Sequence, residues 1–154
     1  MFTPDDLAGI VDLFGALTRS ELDEALSELA YRRSEAIPSG CVDDAIDAFA
    51  LVELDGDGDD EPLLTPGPAA FSTLPEGAED LPHILDVPTR TVDEDVVGRA
   101  AETRLRREAA RAVAKGDTAR ADELLDVSYD IEAWTPVDLT EVRARLDDAR
   151  DETN

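Results

Sequence analysis

Asp55, Asp57 and Asp59 stand at alternate positions in the run DGDGDDE, residues 55–61. This is the spacing by which an EF-hand loop offers its first three carboxylates to calcium. The rest of that pattern fails. Its sixth position, where the loop requires glycine, is Asp60, and its twelfth, where a glutamate should chelate, is Pro66. No helical pattern flanks the run either; FALVEL precedes it and PLL follows. Its two glycines suit the positive φ of a hairpin tip, so the expected element is a solvated turn.

Other reactive groups are scarce. Cys41 and His83 are the single cysteine and the single histidine, which excludes an intramolecular disulfide and a Cys/His zinc site. A nucleophilic Cys41 would need a base, and His83 lies far along the chain in LPHIL, where it is expected to pack within a connector; Cys41 is expected to be a small buried residue. Carboxylate pairs such as Asp43/Asp44 recur too widely to mark an acid–base couple. With no glycine-rich phosphate loop and no Ser-His-Asp set, the sequence reads as a non-enzyme without cofactor or metal.

Charge bounds the setting. The 154 residues carry 38 acidic against 14 basic side chains, a net charge of −24, and thirteen of the basic residues are arginine. Asp-rich, Lys-poor composition with small apolar residues is that of a salt-rich cytoplasm. At about 1 M salt the Debye length shrinks to roughly 3 Å, so repulsion among surface carboxylates is screened. In dilute buffer the same charge drives the compact state apart. The length is that of about one domain. The N-terminus carries aspartates where a signal peptide needs positive charge, and no uncharged apolar run is long enough to span a membrane. The expected location is cytoplasmic.

The elements follow from periodicity and caps. TPDDLAGIVDLFGAL reads as a helix with Thr3 as N-cap, Pro4 at its first position, and Leu7, Ile10, Val11 and Phe14 on one face. Thr18 and Glu21 form a capping box ahead of a second helix with Leu22, Ala25, Leu26, Leu29 and Ala30 inward. CVDDAIDAF is a third, with Ser39 as candidate cap; ALVEL and PLLT are then strands about the acidic turn. Residues 66–90 hold five prolines and read as a connector over the surface. Beyond it, Thr91 and Glu94 suggest a capping box for a long helix ending at Gly116, and TARADELLDV turns back as a shorter one. SYDIEAWTPVDL is expected to be a connector, and TEVRARLDDAR a last helix.

The expected fold is therefore mainly α: a three-helix unit with a short β-hairpin (residues 1–72), a proline-rich connector (73–91), and a helical hairpin plus final helix (92–154). Three helices followed by a hairpin resemble a winged helix-turn-helix domain, through LTRSELDEAL at the second helix and LVEL…PLLTPG at the wing. VDLFGALTRSELDEALSELAYRR also resembles a family of small uncharacterised haloarchaeal proteins. The resemblance covers residues 1 to about 70 and implies a winged-helix scaffold but no function.

A winged-helix DNA reader needs donors on its third helix. Here that helix presents Asp43, Asp44 and Asp47 and no basic residue, which repels a polyanion. Basic residues gather instead within 99–120, seven against three acidic. Arg104, Arg107, Arg111 and Lys115 recur three and four apart on one helix face, opposite a stripe of Val97, Ala101, Leu105, Ala109, Ala112 and Val113. Two readings stand: arginines paired with nearby carboxylates such as Glu102 and Glu108, or a strip that binds an acidic protein or an RNA backbone through guanidinium forks. Tyr129 and Trp134 are expected to dock the C-terminal helices, or alternatively to anchor a partner. The sequence thus points to a non-catalytic protein-interaction module, its partner another protein or a second copy, with Arg104, Arg107, Arg111, Lys115 and Trp134 as contact residues. The alternative is a winged-helix transcriptional regulator working at high salt.

Overall fold

Two threonines set where the first helices begin. In the computed structural model, which describes residues 2–55, 61–70 and 73–151, Thr3 Oγ1 accepts from the Asp6 N–H while the Asp6 carboxylate accepts from the Thr3 N–H. Thr18 and Glu21 repeat this reciprocal pair, so the first donors of α1 (Pro4–Phe14) and α2 (Arg19–Arg33) are satisfied by their own sequence. The expected apolar faces of both helices are buried. The chain forms two compact units, Met1–Val97 and Gly98–Asn154, and is mainly α, with one three-stranded antiparallel sheet among the described residues.

In the first unit, α3 (Cys41–Asp47) is capped by Gly40 in a left-handed conformation (φ 76°), not by Ser39. Cys41, Val42, Ala45 and Ile46 face the core, and burial, reinforced by the charges of Asp23 and Asp44, pushes the Cys41 thiol up. Phe49, buried with φ 61°, turns the chain into β2 (Leu51–Leu54), which pairs antiparallel with β3 (Leu63–Pro66) from Leu51↔Pro66 to Leu54↔Leu63. Of the expected turn at 55–61, residues 56–60 lie outside the described residues. A further strand, β1 (Leu17–Thr18), pairs with the other edge of β3 through Leu17↔Leu64, giving the order β1-β3-β2. Two residues are too few to show an alternating pattern, so β1 carries no sequence signal.

The proline-rich stretch is part of this unit, which extends to Val97 rather than ending near 72. It contains a 3-10 turn (Ala78–Asp80) and the short α4 (Leu81–Ile84); Ala78 and Leu81 enter the core, and Leu85 and Val87 pack against it. Both ends are tied along α1. At one end the Thr73 N–H donates to Asp5 O (3.1 Å) and its hydroxyl to the Asp6 carboxylate (2.6 Å). At the other, the Arg90 N–H donates to Phe14 O (2.7 Å), and its guanidinium reaches Ala16 O (3.1 Å) and both Glu21 oxygens (2.6 and 3.2 Å). The strap passes so close that a Cβ on Gly9 would lie 1.8 Å from Thr73 O, and one on Gly15 1.8 Å from Arg90 O. His83, expected to be packed, is exposed on α4.

Glu21 links the strap to pH. Burial alone would raise its carboxyl, but bonds from Arg90 and the Thr18 N–H outweigh it and hold the group below its ordinary value. The unfolded chain then takes up this proton first as pH falls. The stability Glu21 contributes is complete above about pH 4.3, the ordinary glutamate value, and disappears as pH drops through the lower folded value. Glu21→Gln is expected to flatten that part of the acid limb, measured by urea unfolding at fixed high salt; an unchanged limb would show that the Arg90 pair contributes nothing there.

The next helix, α5 (Glu94–Lys115), most of which belongs to the second unit, starts on Asp93, whose carboxylate accepts from the Asp95 N–H (2.9 Å), rather than on the expected Thr91 box. Gly116 (φ 65°) turns the chain and the Asp117 carboxylate caps α6 (Thr118–Trp134). That helix runs to Trp134, so most of the expected connector is helical. Ala121, Leu124, Leu125, Ser128 and Ile131 make one buried stripe, with the Ser128 hydroxyl donating to Leu125 O (2.6 Å). α5 and α6 run antiparallel, since the Gly116 turn joins them at one end and Gly98 meets the Thr135 side chain at the other. Glu132 then closes the next corner, accepting from the Leu139 N–H (2.7 Å) and from Arg143 (2.7 Å) on α7 (Thr140–Asp151).

Candidate functional site

A helix of period 3.6 has room for three stripes, and α5 uses three. Val97, Ala101, Leu105, Ala109 and Ala112 are buried, as their spacing implies. Val113, expected with them, is 39% exposed. It belongs to a second stripe with Arg106, Ala110 and Ala114, at spacings of three and four. The third stripe is cationic.

On that third stripe the expected contact residues divide. Glu108, itself mostly buried, draws in Arg104 (4.0 Å), Arg111 (3.6 Å) and, from α6, Arg120 (3.9 Å). Arg104 and Arg120 are half-buried by this arrangement, and Arg120 also pairs with Glu123 at 2.9 Å. Arg107 and Lys115 are exposed and make no ion pair among the described residues. The face is thus partly neutralised from within and partly offered to solvent.

Trp134 is 43% exposed and Tyr129 more so, so neither is buried in docking the helices. Tyr129 lies under the Arg143 guanidinium at 4.5 Å, a cation–π contact. Arg143 is held by Glu132, which it keeps below its ordinary carboxyl value together with the Leu139 N–H; the same hydrogen bond raises Arg143. Trp134 ends α6 at the end away from the Gly116 turn, about 24 Å of helix from the Lys115 end at 1.5 Å per residue. The structure therefore does not gather Trp134 and Lys115 into one site.

What it does form is a groove of about 330 Å³ between α5 and α7. Ala109, Ala110, Val113 and Ala114 line one wall and Val142 the other, with Arg106 and Arg145 at the rim. Each rim guanidinium is steadied by a glutamate one turn earlier, Arg106 by Glu102 and Arg145 by Glu141, both at 3.0 Å. This groove was not foreseen, although the displaced spacing of Arg106, Ala110 and Val113 signals it. A second hollow, of about 360 Å³, is lined by Asp122, Leu125, Asp126, Tyr129 and Asp147. Nearby, burial and the charge of Asp126 push the Asp130 carboxyl up. Among the described residues no group of three or more His, Cys, Asp or Glu side chains is placed to hold a metal ion.

On the first unit, the outward face of α3 carries Asp43, Asp44 and Asp47. Arg19 lies across it, 3.0 Å from Asp43 and 4.0 Å from Glu53 on β2. Arg32 and Arg33 pair locally with Glu28 and Glu35. Among the described residues no helix is long and apolar enough to cross a membrane.

The chain belongs to a protein family of unknown function, DUF7109, whose family model matches residues 5–151. That match takes in both compact units. No curated protein and no solved structure matches the chain.

Proposed function

We propose that the protein is a non-catalytic interaction module of a salt-adapted, haloarchaeal cytoplasm, binding another protein through its C-terminal helices. The observation that carries this reading is the apolar α5–α7 groove with arginines on its rim, in a chain otherwise dominated by carboxylates. Arg107 and Lys115 stand exposed on a separate stripe of the same helix. The N-terminal unit supplies a winged-helix scaffold: the order α1-β1-α2-α3-β2-β3 with sheet order β1-β3-β2 supports that assignment.

The same topology supports a second reading, a winged-helix transcriptional regulator. Against it stands the carboxylate face of α3, the element that would enter the major groove. Fluorescence anisotropy of labelled genomic duplex fragments separates the two, titrated across KCl from roughly half-molar to saturating, where phosphate contacts would weaken steeply with salt. No binding at any salt is the expected result. Binding that persists as salt rises would show α3 working through trapped cations and would replace the module by the regulator.

A further inference from the structure

We propose that the α5–α7 groove receives an acidic amphipathic helix of a partner protein, apolar side chains seated on Val113 and Val142 and carboxylates set against Arg106 and Arg145. This names the partner chemistry for the interaction reading above and rests on it. Three features define the occupant. The walls are two helices whose facing residues are mostly alanine, which lets a third helix approach closely and lay a ridge between them. Val113 exposes apolar surface at the wall while Val142 is buried at the base, so the groove rewards an apolar ridge rather than a polar loop. The lining carries charge of one sign: Arg106 and Arg145 are its charged residues, each steadied by a glutamate one turn earlier that does not itself line the groove.

Charge complementarity also decides against a second copy as the occupant. A two-fold related chain would bring the Arg106 and Arg145 edges of both copies together, a like-charge arrangement that disfavours that partner. An acidic helix meets that border with opposite sign. Salt tunes the two contributions in opposite directions, weakening the rim pairs and strengthening apolar burial. The complex therefore persists at high KCl, and the charges set which helix enters more than how tightly it holds.

The test uses the full chain in high KCl and three synthetic labelled helices read by anisotropy. The first has leucine at i, i+3, i+4 and i+7 and glutamate elsewhere; the second is the same composition scrambled; the third has lysine for glutamate. The expected result is saturable binding of the first alone. Val113→Asp, at an exposed position that leaves the core intact, should weaken it by about tenfold or more. Arg106→Glu with Arg145→Glu, its helicity checked by circular dichroism, should transfer preference to the lysine helix. Absence of binding, equal binding of the scrambled helix, or indifference to Val113→Asp would overturn the proposal. A dimer by sedimentation that dissolves in Val113→Asp would overturn it too, assigning the groove to a second copy. Failure here with no DNA binding removes the groove's occupant only, whereas DNA binding removes the interaction reading itself.

Discussion

Gly9→Ala is expected to destabilise the protein by about 2 kcal/mol or more, the cost of forcing an atom into a filled contact. Helix propensity alone predicts the opposite, a gain of up to about 1 kcal/mol for alanine in a helix interior. Gly9 sits in the middle of α1 without positive φ, so nothing in the helix itself asks for glycine. The strap does. A Cβ there would lie 1.8 Å from Thr73 O and 2.6 Å from Thr73 C, both backbone atoms that cannot rotate away. Relief requires lifting the strap at the point where Thr73 bonds Asp5 O and the Asp6 carboxylate. Burial alone would raise the Asp6 carboxyl, but the Thr73 hydroxyl bond and the Thr3 contacts outweigh it and hold the group below its ordinary value, so lifting the strap also releases that group. Urea unfolding in high KCl measures the net effect, and hydrogen exchange locates it. The Thr73 amide should exchange faster, while the Arg90 amide, bonded to Phe14 O at the strap's other end, stays protected. A neutral or stabilising Gly9→Ala would mean that residues 73–90 do not lie on α1.

Which features were readable in the sequence follows from whether their causes are local. Thr3 as a cap and the Thr18/Glu21 box could be read because a capping interaction is complete within four residues; that Asp6 closes a box on Thr3 is a further detail the structure adds. Ser39 and Thr91 were plausible caps by type, yet Gly40 and Asp93 took those positions. In an acidic chain every helix start has several competent acceptors nearby, and the incoming path of the chain selects among them. The end of α6 was obscured by Ser128, a polar residue inside a buried stripe, whose hydroxyl is satisfied by its own helix. Exposed Tyr129 and Trp134, read as docking aromatics, pointed the same wrong way.

The strap was hidden for a different reason. Five prolines dominate residues 66–90 as loop signals, but proline removes only backbone donors and leaves Ala78 and Leu81 free to enter the core. At the candidate site, the spacing of Arg104, Arg107, Arg111 and Lys115 correctly placed them along one side of α5. It could not show that Glu108 would draw Arg104 and Arg111 toward Arg120, because Arg120 arrives from another helix. The groove depended in turn on where α7 places Val142 and Arg145, a tertiary fact.

Loss of most helix on transfer from molar KCl to dilute buffer is the second large effect expected. Twelve of the buried apolar residues are alanine, whose burial removes little surface from water, and Phe2, Phe14 and Phe49 are the buried aromatics among the described residues. Stability from such a core is small enough for the −24 charge to decide the outcome. The carboxylates are also concentrated: Asp43, Asp44 and Asp47 share one face of α3, and Asp122, Asp126 and Asp147 share one hollow. Circular dichroism melts should be cooperative above about 1 M KCl, where screening acts within roughly 3 Å, and should lose amplitude as salt falls; a melting temperature insensitive to salt would defeat the argument. Mild acid supplies a second arm. Acid removes carboxylate repulsion without salt as pH falls toward about 4, the reference range of Asp and Glu side chains, and Asp130, whose carboxyl is raised by burial and by Asp126, takes up its proton early. Asp6 and Glu21, held lower, stay ionised and keep the strap tied to α1. The dilute-buffer protein should therefore regain helix as pH falls toward that value and lose it again once Glu21 is protonated. Glu21→Gln should weaken the second transition and leave the first in place; Asp6, Glu132 and Asp138, also held low, carry the remainder.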